Sequence, residues 1–205
     1  MYISKNVIIR KIRRAAQNYK EKLIGKTFMF VYDDKYIEVI FKKSCFLHLT
    51  GVNSNLDAES FYKHAVNGNN LKPSEIKFDS DHPFDLADKK TDVLHNLYKI
   101  TMQDVLIVDN VITLSATYKI GIADLKMTIL FGENTDKMGN KISDCLVPYS
   151  FRVESIDNSK FENIYTVDFV FEKVTGQKKY SNITFQDKRK IEDLPERILE
   201  KIEIS

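Results

Sequence analysis

The sequence predicts an α+β fold: two helices packed on a mainly antiparallel β-sheet, with a basic amphipathic helix at the N-terminus. Three observations carry this. Helical periodicity is concentrated before residue 105, the chain afterwards becomes a succession of alternating apolar strands, and the short polar turns between them leave no room for the crossover helices of a parallel sheet. The 205 residues are 43% hydrophobic and 29% charged, with seven Gly and four Pro, which is the composition of a globular protein able to bury a sizeable core. The expected division is a basic helix over 1–26, an α+β body over 27–185 and a charged C-terminal helix or tail over 186–205.

Ile8, Ile12, Ala15, Ala16, Tyr19 and Leu23 recur at helical spacing and give the first helix one apolar stripe. Residues 1–26 carry eight Lys and Arg against Glu21 alone, a charge of +7 that leaves −5 on the rest of a chain whose net charge is +2. Such a cationic face suits phosphates, anionic lipid or an acidic partner, and equally suits solvent on a helix packed against the body, or appended to it. Thr27–Asp33 and Tyr36–Lys42 read as a hairpin about Asp33-Asp34-Lys35, with Phe28, Phe30 and Tyr32 sharing a face. Phe46–Thr50 reads as an apolar strand ending at Gly51. Asp57 is the N-cap of a helix running to Asn67, with Phe61 and Ala65 inward and Gly68 closing it. Loops containing Pro73 and Pro83 follow, and a second helix runs from about Asp85 to Thr101 on the stripe Leu86, Val93, Leu94, Leu97 and Thr101.

Strands are then expected over Val105–Asp109 and Val111–Tyr118, turning at Asp109-Asn110, over Ile122–Phe131, and over Cys145–Val153 after a loop at Gly132–Lys141. Tyr165, Val167, Phe169 and Phe171 form one face of a further strand, followed by the short Ile183-Thr184-Phe185. Leu194, Ile198, Leu199 and Ile202 line one side of the terminal helix.

Several chemistries find no support. Cys45 and Cys145 each lie in an apolar run, which favours buried free thiols over a disulfide framework. His48, His64, His82 and His95 are scattered, neither CxxC nor HExxH occurs, and no Gly-rich phosphate loop, nucleophile elbow or paired-carboxylate motif stands out, so no metal or cofactor is expected. No apolar run is long enough to span a bilayer and no signal peptide is evident, which predicts a cytoplasmic protein.

The stretch Phe46-Leu47-His48-Leu49-Thr50-Gly51 carries the most chemistry. As a strand it puts His48 and Thr50 on one side, Leu47 and Leu49 toward a core, and a sharp turn at Gly51. An imidazole beside a hydroxyl can move protons; the competing reading is a structural hydrogen-bonding histidine. Lys90 lies on the inward-facing side of the second helix, three residues before Val93, either facing a cleft or covering the core's rim with its stem. In Val147-Pro148-Tyr149-Ser150 the proline argues for an edge or a bulge that redirects Tyr149 and Ser150.

Together, Phe46–Gly51, the following Phe61-Tyr62 helix, the helix bearing Lys90 and the Pro148-Tyr149-Ser150 strand resemble phage-associated nucleases of the Barnase–EndoU–colicin–RelE type, over residues 27–155. The resemblance implies two helices followed by a four-stranded antiparallel sheet, and a metal-independent RNase acting as a toxin or mobile-element effector. It implies that His48, Lys90, Thr50 and Ser150 surround one phosphodiester: His48 as general acid or base for attack by the 2′-hydroxyl, Lys90 as the cation, the hydroxyls positioning a phosphate oxygen. Arg10, Arg13, Arg14 and Tyr149 are assigned to RNA contact, and an antitoxin or immunity protein is the expected partner besides RNA. The second proton-transfer group has no evident residue. The competing class is a noncatalytic phage or mobile-element protein that grips and inhibits a host factor.

Overall fold

The N-terminal apolar stripe folds as expected. In the computed structural model, which describes residues 4–68, 70–113, 117–124, 126–153 and 161–204, helix α1 spans Lys5–Lys22 and buries Ile8, Ile9, Ile12, Ala15, Ala16 and Tyr19. These residues join one core with Phe61 and Ala65 of α3 (Ala58–Val66) and Ala87 and Leu94 of α4 (Phe84–Leu94). The helix is therefore part of the fold rather than an appendage. Polar side chains fasten it along its length: Lys5 Nζ donates to the carbonyls of Ile76 (2.8 Å) and Pro73 (3.2 Å), Gln17 to that of Val66 (2.6 Å) and Asn18 to that of His95 (2.7 Å).

β1 (Lys26–Tyr32) and β2 (Lys35–Ile40) form the expected hairpin. Asp33 and Asp34 both take positive φ, 46° and 56°, in a two-residue turn whose twist matches that of the strands. The next segment departs from the expectation. Lys43–Cys45 is a 3-10 turn leading into helix α2 (Phe46–Thr50), which ends at Gly51 in the left-handed region (φ 75°). A short apolar run fits either period. Here Cys45, Phe46, Leu49 and Thr50 are buried, two adjacent pairs four residues apart, so the helical period wins. Asp57 caps α3 as predicted, accepting from the N–H groups of Glu59 (3.1 Å) and Ser60 (3.0 Å).

The second long helix is shorter than predicted. α4 stops at Leu94, and a 3-10 helix (Leu97–Thr101) continues the inward stripe through Leu97 and Ile100. Leu94, Leu97 and Ile100 are three apart, which suits the tighter helix. Ala87 rather than Leu86 takes the inward place in the first turns; Leu86 is exposed.

The remaining strands are β5 (Leu106–Ile112), β6 (Thr117–Ala123), β7 (Thr128–Thr135), β8 (Lys141–Arg152), β9 (Ile164–Thr166), β10 (Phe169–Val174) and β11 (Asn182–Gln186). With β1 and β2 they form a nine-stranded sheet in the order β11-β10-β1-β2-β8-β7-β6-β5-β9. Within this sheet every strand pairing among the described residues is antiparallel except that of β2 with β8, which are parallel and meet at Val39 and Leu146. A separate short ladder joins β3 (Asn53–Ser54) to β4 (Ile76–Lys77). The class is thus mixed α+β on a mostly antiparallel sheet, with five α-helices among the described residues where an N-terminal helix, two more and a C-terminal helix or tail were expected; α2 is the addition.

Several strand boundaries differ from the sequence reading. Asp109-Asn110 is no turn: β5 runs through it, with Asn110 accommodated at φ 49°. The reversal falls beyond Ile112, and residues 114–116 lie outside the described residues. Ile122–Phe131 is interrupted by a turn in which Asp124 Oδ1 accepts from Lys126 N (2.7 Å) and Met127 N (2.8 Å). The expected loop at Gly132–Lys141 contracts to Asp136–Asn140, because β7 extends to Thr135. Tyr165 and Phe171 belong to two separate strands, β9 at one edge beside β5 and β10 next to the other edge, between β11 and β1.

The sheet buries both faces. Phe28, Phe30, Val39, Ile107, Ile122, Ile129, Phe131 and Phe151 meet the helices on one side. On the other, Met29, Val31, Phe169 and Phe171 pack with Tyr180, Leu194 and Ile198, so the C-terminal segment with its helix α5 (Glu196–Leu199) covers that face instead of trailing as a tail.

Candidate active site

α2 is pinned by its apolar residues and leaves its histidine outside. Phe46 and Leu49 are buried in the helix-side core, while His48 is exposed. Thr50 is fully buried: its hydroxyl donates to the Leu47 carbonyl (2.7 Å) and accepts from Val52 N (3.3 Å), which completes the last turn of α2. Its role in this geometry is to end the helix. His48 and Thr50 therefore do not share a strand face.

Gly51 is required twice. Its positive φ favours a residue without Cβ, and α4 lies against it so closely that a Cβ there would stand 2.8 Å from Lys90 Cδ and 3.4 Å from Ala87 Cα. The Lys90 stem crosses the end of α2, three residues beyond His48. Burial lowers the Lys90 pKa from the usual lysine value, and repulsion from Arg152 at the end of β8 lowers it further. Among the described residues no carboxylate pairs with the Lys90 ammonium. Lys11, on the α1 side of the same helix, presents the opposite case. It bridges Asp88 (2.5 Å) and Asp92 (2.7 Å), and although burial works against it, the two aspartates raise its pKa.

The proline of β8 marks a bulge. Leu130 pairs with Ser150 but Phe131 pairs with Pro148, so Tyr149 is the additional residue. β8 meets β2 at Leu146, and α2 lies beside it. The edge and bulge expectations thus each catch part of the arrangement. Tyr149 is 51% exposed, its ring laid on Gly132, where a Cβ would stand 2.7 Å from Tyr149 Cδ2. Ser150 is half-buried two residues before Arg152 on the same side of β8; no hydrogen bond or ion pair joins it to His48 or Lys90 among the described residues. Arg152 was not singled out in the sequence. The signal was there: it continues the Ser150 side of a strand whose alternate residue, Phe151, is buried.

The basic face of α1 divides. Arg10 and Arg14 are exposed, whereas Arg13 is half-buried and donates to the Leu71 carbonyl (2.8 Å). Two further histidines are held by carboxylates. His64 Nδ1 lies 3.1 Å from Glu75 Oε1, and His82 Nδ1 lies 3.1 Å from Asp79 Oδ1. The Asn53 amide and the His82 N–H draw the Asp79 pKa down to about 2. No group of three or more His, Cys, Asp or Glu is arranged to hold a metal among the described residues, and no helix there is long and apolar enough to cross a membrane.

A family model described as phage-Barnase-EndoU-ColicinE5/D-RelE like nuclease matches residues 11–189. The chain belongs to this nuclease family. The match extends the resemblance read from residues 27–155 in both directions, taking in most of α1, in keeping with that helix's place in the core. For this family member, no curated protein and no solved structure gives a significant match.

Proposed function

We propose that this member of the nuclease family cleaves RNA without a metal ion, by attack of the 2′-hydroxyl on the adjacent phosphorus, with His48 as a proton-transfer residue at the end of α2. The observation that carries the reading is the packing of Lys90 across Gly51, with Arg152 close enough to depress its pKa. Two neighbouring cations repel one another, and a bound phosphodiester relieves that repulsion while its developing negative charge is stabilised. His48, exposed three positions before Gly51, is assigned in this reading to the same substrate.

In this reading Thr50 shapes the helix end rather than touching substrate, and Ser150 lines the β8 side. Arg10 and Arg14 extend the binding surface along α1, and Tyr149 offers a flat aromatic face to a base. An antitoxin or immunity protein is the natural protein partner of such a toxin, and it would cover His48 and Lys90. The test is cleavage of end-labelled RNA in excess chelator by the wild-type and His48→Ala proteins. Wild-type cleavage that persists in chelator and falls at least about 100-fold in the variant is expected for loss of a proton-transfer group. Equal cleavage by both proteins removes His48 from the chemistry, and none by either favours a noncatalytic binding protein.

A further inference from the structure

We propose that Tyr149, seated on Gly132, and Lys119 of the neighbouring strand form a nucleotide subsite on the sheet face opposite α1, α3 and α4, which takes one unpaired base and the phosphate beside it. This inference rests on the nuclease reading above and adds the place where the substrate strand continues past the cleavage site.

Alternation along β7 sets the face. Phe131 is buried against the helices, and Leu130 belongs to the small cluster with Val108 and Val111 on the other side, so Gly132 returns to the side of Leu130. A Cβ on Gly132 would stand 2.7 Å from Tyr149 Cδ2, 2.8 Å from Cε2 and 3.2 Å from Cγ, which places the ring directly over the glycine. Tyr149 is still 51% exposed, so its ring is both seated and accessible. Gly121 shares this face, since a Cβ there would meet Leu130 and Val108 at 2.9 Å, and Lys119 follows two residues earlier on the same strand. Gly121 pairs with Leu130 and Ile120 with Phe131; one further step sets Lys119 opposite Gly132. The Lys119 side chain is 84% exposed, and its 3.7 Å contact with Glu133 is a long surface pair that holds it weakly.

β8 joins this subsite to the cleavage site. Ser150 and Arg152 pair with Leu130 and Thr128, which alternate with the helix-side residues Ile129 and Phe131, so both face the Tyr149 side. Arg152 stands three residues beyond Tyr149, about 10 Å along the strand. β2 runs parallel to β8, meets it at Leu146 and ends at Ile40, so this part of β8 has α2 rather than a strand beside it. A chain held at Arg152 therefore reaches Tyr149 along β8 without crossing another strand. An aromatic ring already fixed on a glycine loses little freedom on binding, and every nucleobase offers a π-face, so the contact tolerates any sequence. Bases inside a duplex have both faces stacked, which restricts the subsite to unpaired ones. Lys119 supplies the cation for the adjoining phosphate.

The experiment measures binding without cleavage. Its probe is a short single-stranded oligonucleotide with 2′-O-methyl sugars, beside the same backbone lacking its bases. The chain has no tryptophan, so Tyr149→Trp introduces a single indole, whose emission is expected to be quenched by the complete strand and not by the abasic one. Tyr149→Leu is expected to raise Kd about 10-fold or more, and Tyr149→Phe, which keeps the ring, to leave it within about threefold. Gly132→Ala crowds the ring and is expected to weaken binding by a similar factor in the wild type but not in the Tyr149→Leu background. Lys119→Gln should lower the salt slope of binding by about one. A ring that only covered the glycine would alter stability and none of these binding constants. Wild-type affinity in Tyr149→Leu, equal binding of complete and abasic strands, or no binding of the complete strand by the wild type overturns the subsite, whatever the cleavage assay with His48→Ala shows. Base-dependent binding by a wild-type protein that cleaves no RNA supports the subsite and removes the ribonuclease reading.

Discussion

Gly51→Ala separates the structural from the functional demand on one position. Placing an L-residue at φ 75° costs about 1–2 kcal/mol. The added Cβ also falls 2.8 Å from Lys90 Cδ, too close for any unstrained contact, but that atom belongs to a flexible chain and can swing away, while Ala87 Cα at 3.4 Å is at the near edge of tolerance. The stability loss is therefore expected to be the backbone cost alone, about 1–2 kcal/mol, or a fall in Tm of roughly 2–8 °C for a chain of this size. Activity carries the second effect. Displacing Lys90 removes its amine from the site, so kcat falls further than stability alone explains. Urea unfolding and turnover of the wild type, Gly51→Ala, Lys90→Met and the double variant measure both parts. The coupling in stability should be below about 0.5 kcal/mol, because Met, like Lys, can move aside. The rate penalty of Gly51→Ala should vanish in the Lys90→Met background. A Gly51→Ala protein with unchanged stability, or with unchanged kcat, refutes this picture of Lys90 held across the glycine.

Tyr62 is buried with no hydrogen-bond partner for its hydroxyl among the described residues, and burial pushes its pKa up to about 12; Tyr62→Phe is expected to be neutral or to stabilise by about 1 kcal/mol in urea unfolding. Asp79 titrates near 2 in the folded chain against 3.8 ordinarily, so the stability it provides is complete above that ordinary value and lost as pH falls toward 2. Acid unfolding of Asp79→Asn should accordingly show a flatter dependence over that interval than the wild type. Truncating Phe151, fully buried beneath the helices, to Ala is expected to cost about 3–5 kcal/mol, read from the urea midpoint. Replacing Arg10 and Arg14 by Gln leaves the core untouched and should lower the salt slope of RNA binding by about one for each phosphate no longer neutralised, while a slope identical to wild type assigns both to solvent.

What the sequence made legible was local. The α1 stripe, the Asp33-Asp34 turn and the Asp57 cap each depend on a few neighbouring residues, and each forms as read. Phe46–Thr50 failed for the same reason that it was noticed: in five residues, apolar neighbours around a histidine satisfy both periods, and only the core that receives Phe46 and Leu49 decides between them. The Asn110 reading failed because asparagine tolerates positive φ within a strand as well as in a turn. Sheet order was out of reach, since the meeting of β2 with β8 and of β1 with β10 is set by packing between residues more than a hundred positions apart. The site divides likewise. His48 and Lys90 stood out by residue type, and Gly51 as a turn, but that Gly51 exists partly to admit the Lys90 stem, and that Arg152 arrives as a second cation, follows only from the placement of α2 between α4 and β8.

If RNA is cleaved by its own 2′-hydroxyl around His48, Lys90 and Arg152, the chemistry is written in the ends it leaves. Mass spectrometry of the fragments of a defined oligoribonucleotide, cut in chelator, reads those ends. The termini expected are a 2′,3′-cyclic phosphate and a 5′-hydroxyl, with no cleavage where the attacking 2′-hydroxyl is replaced by 2′-O-methyl. Fragments bearing 5′-phosphate ends, or cleavage of the 2′-O-methyl strand, would contradict it.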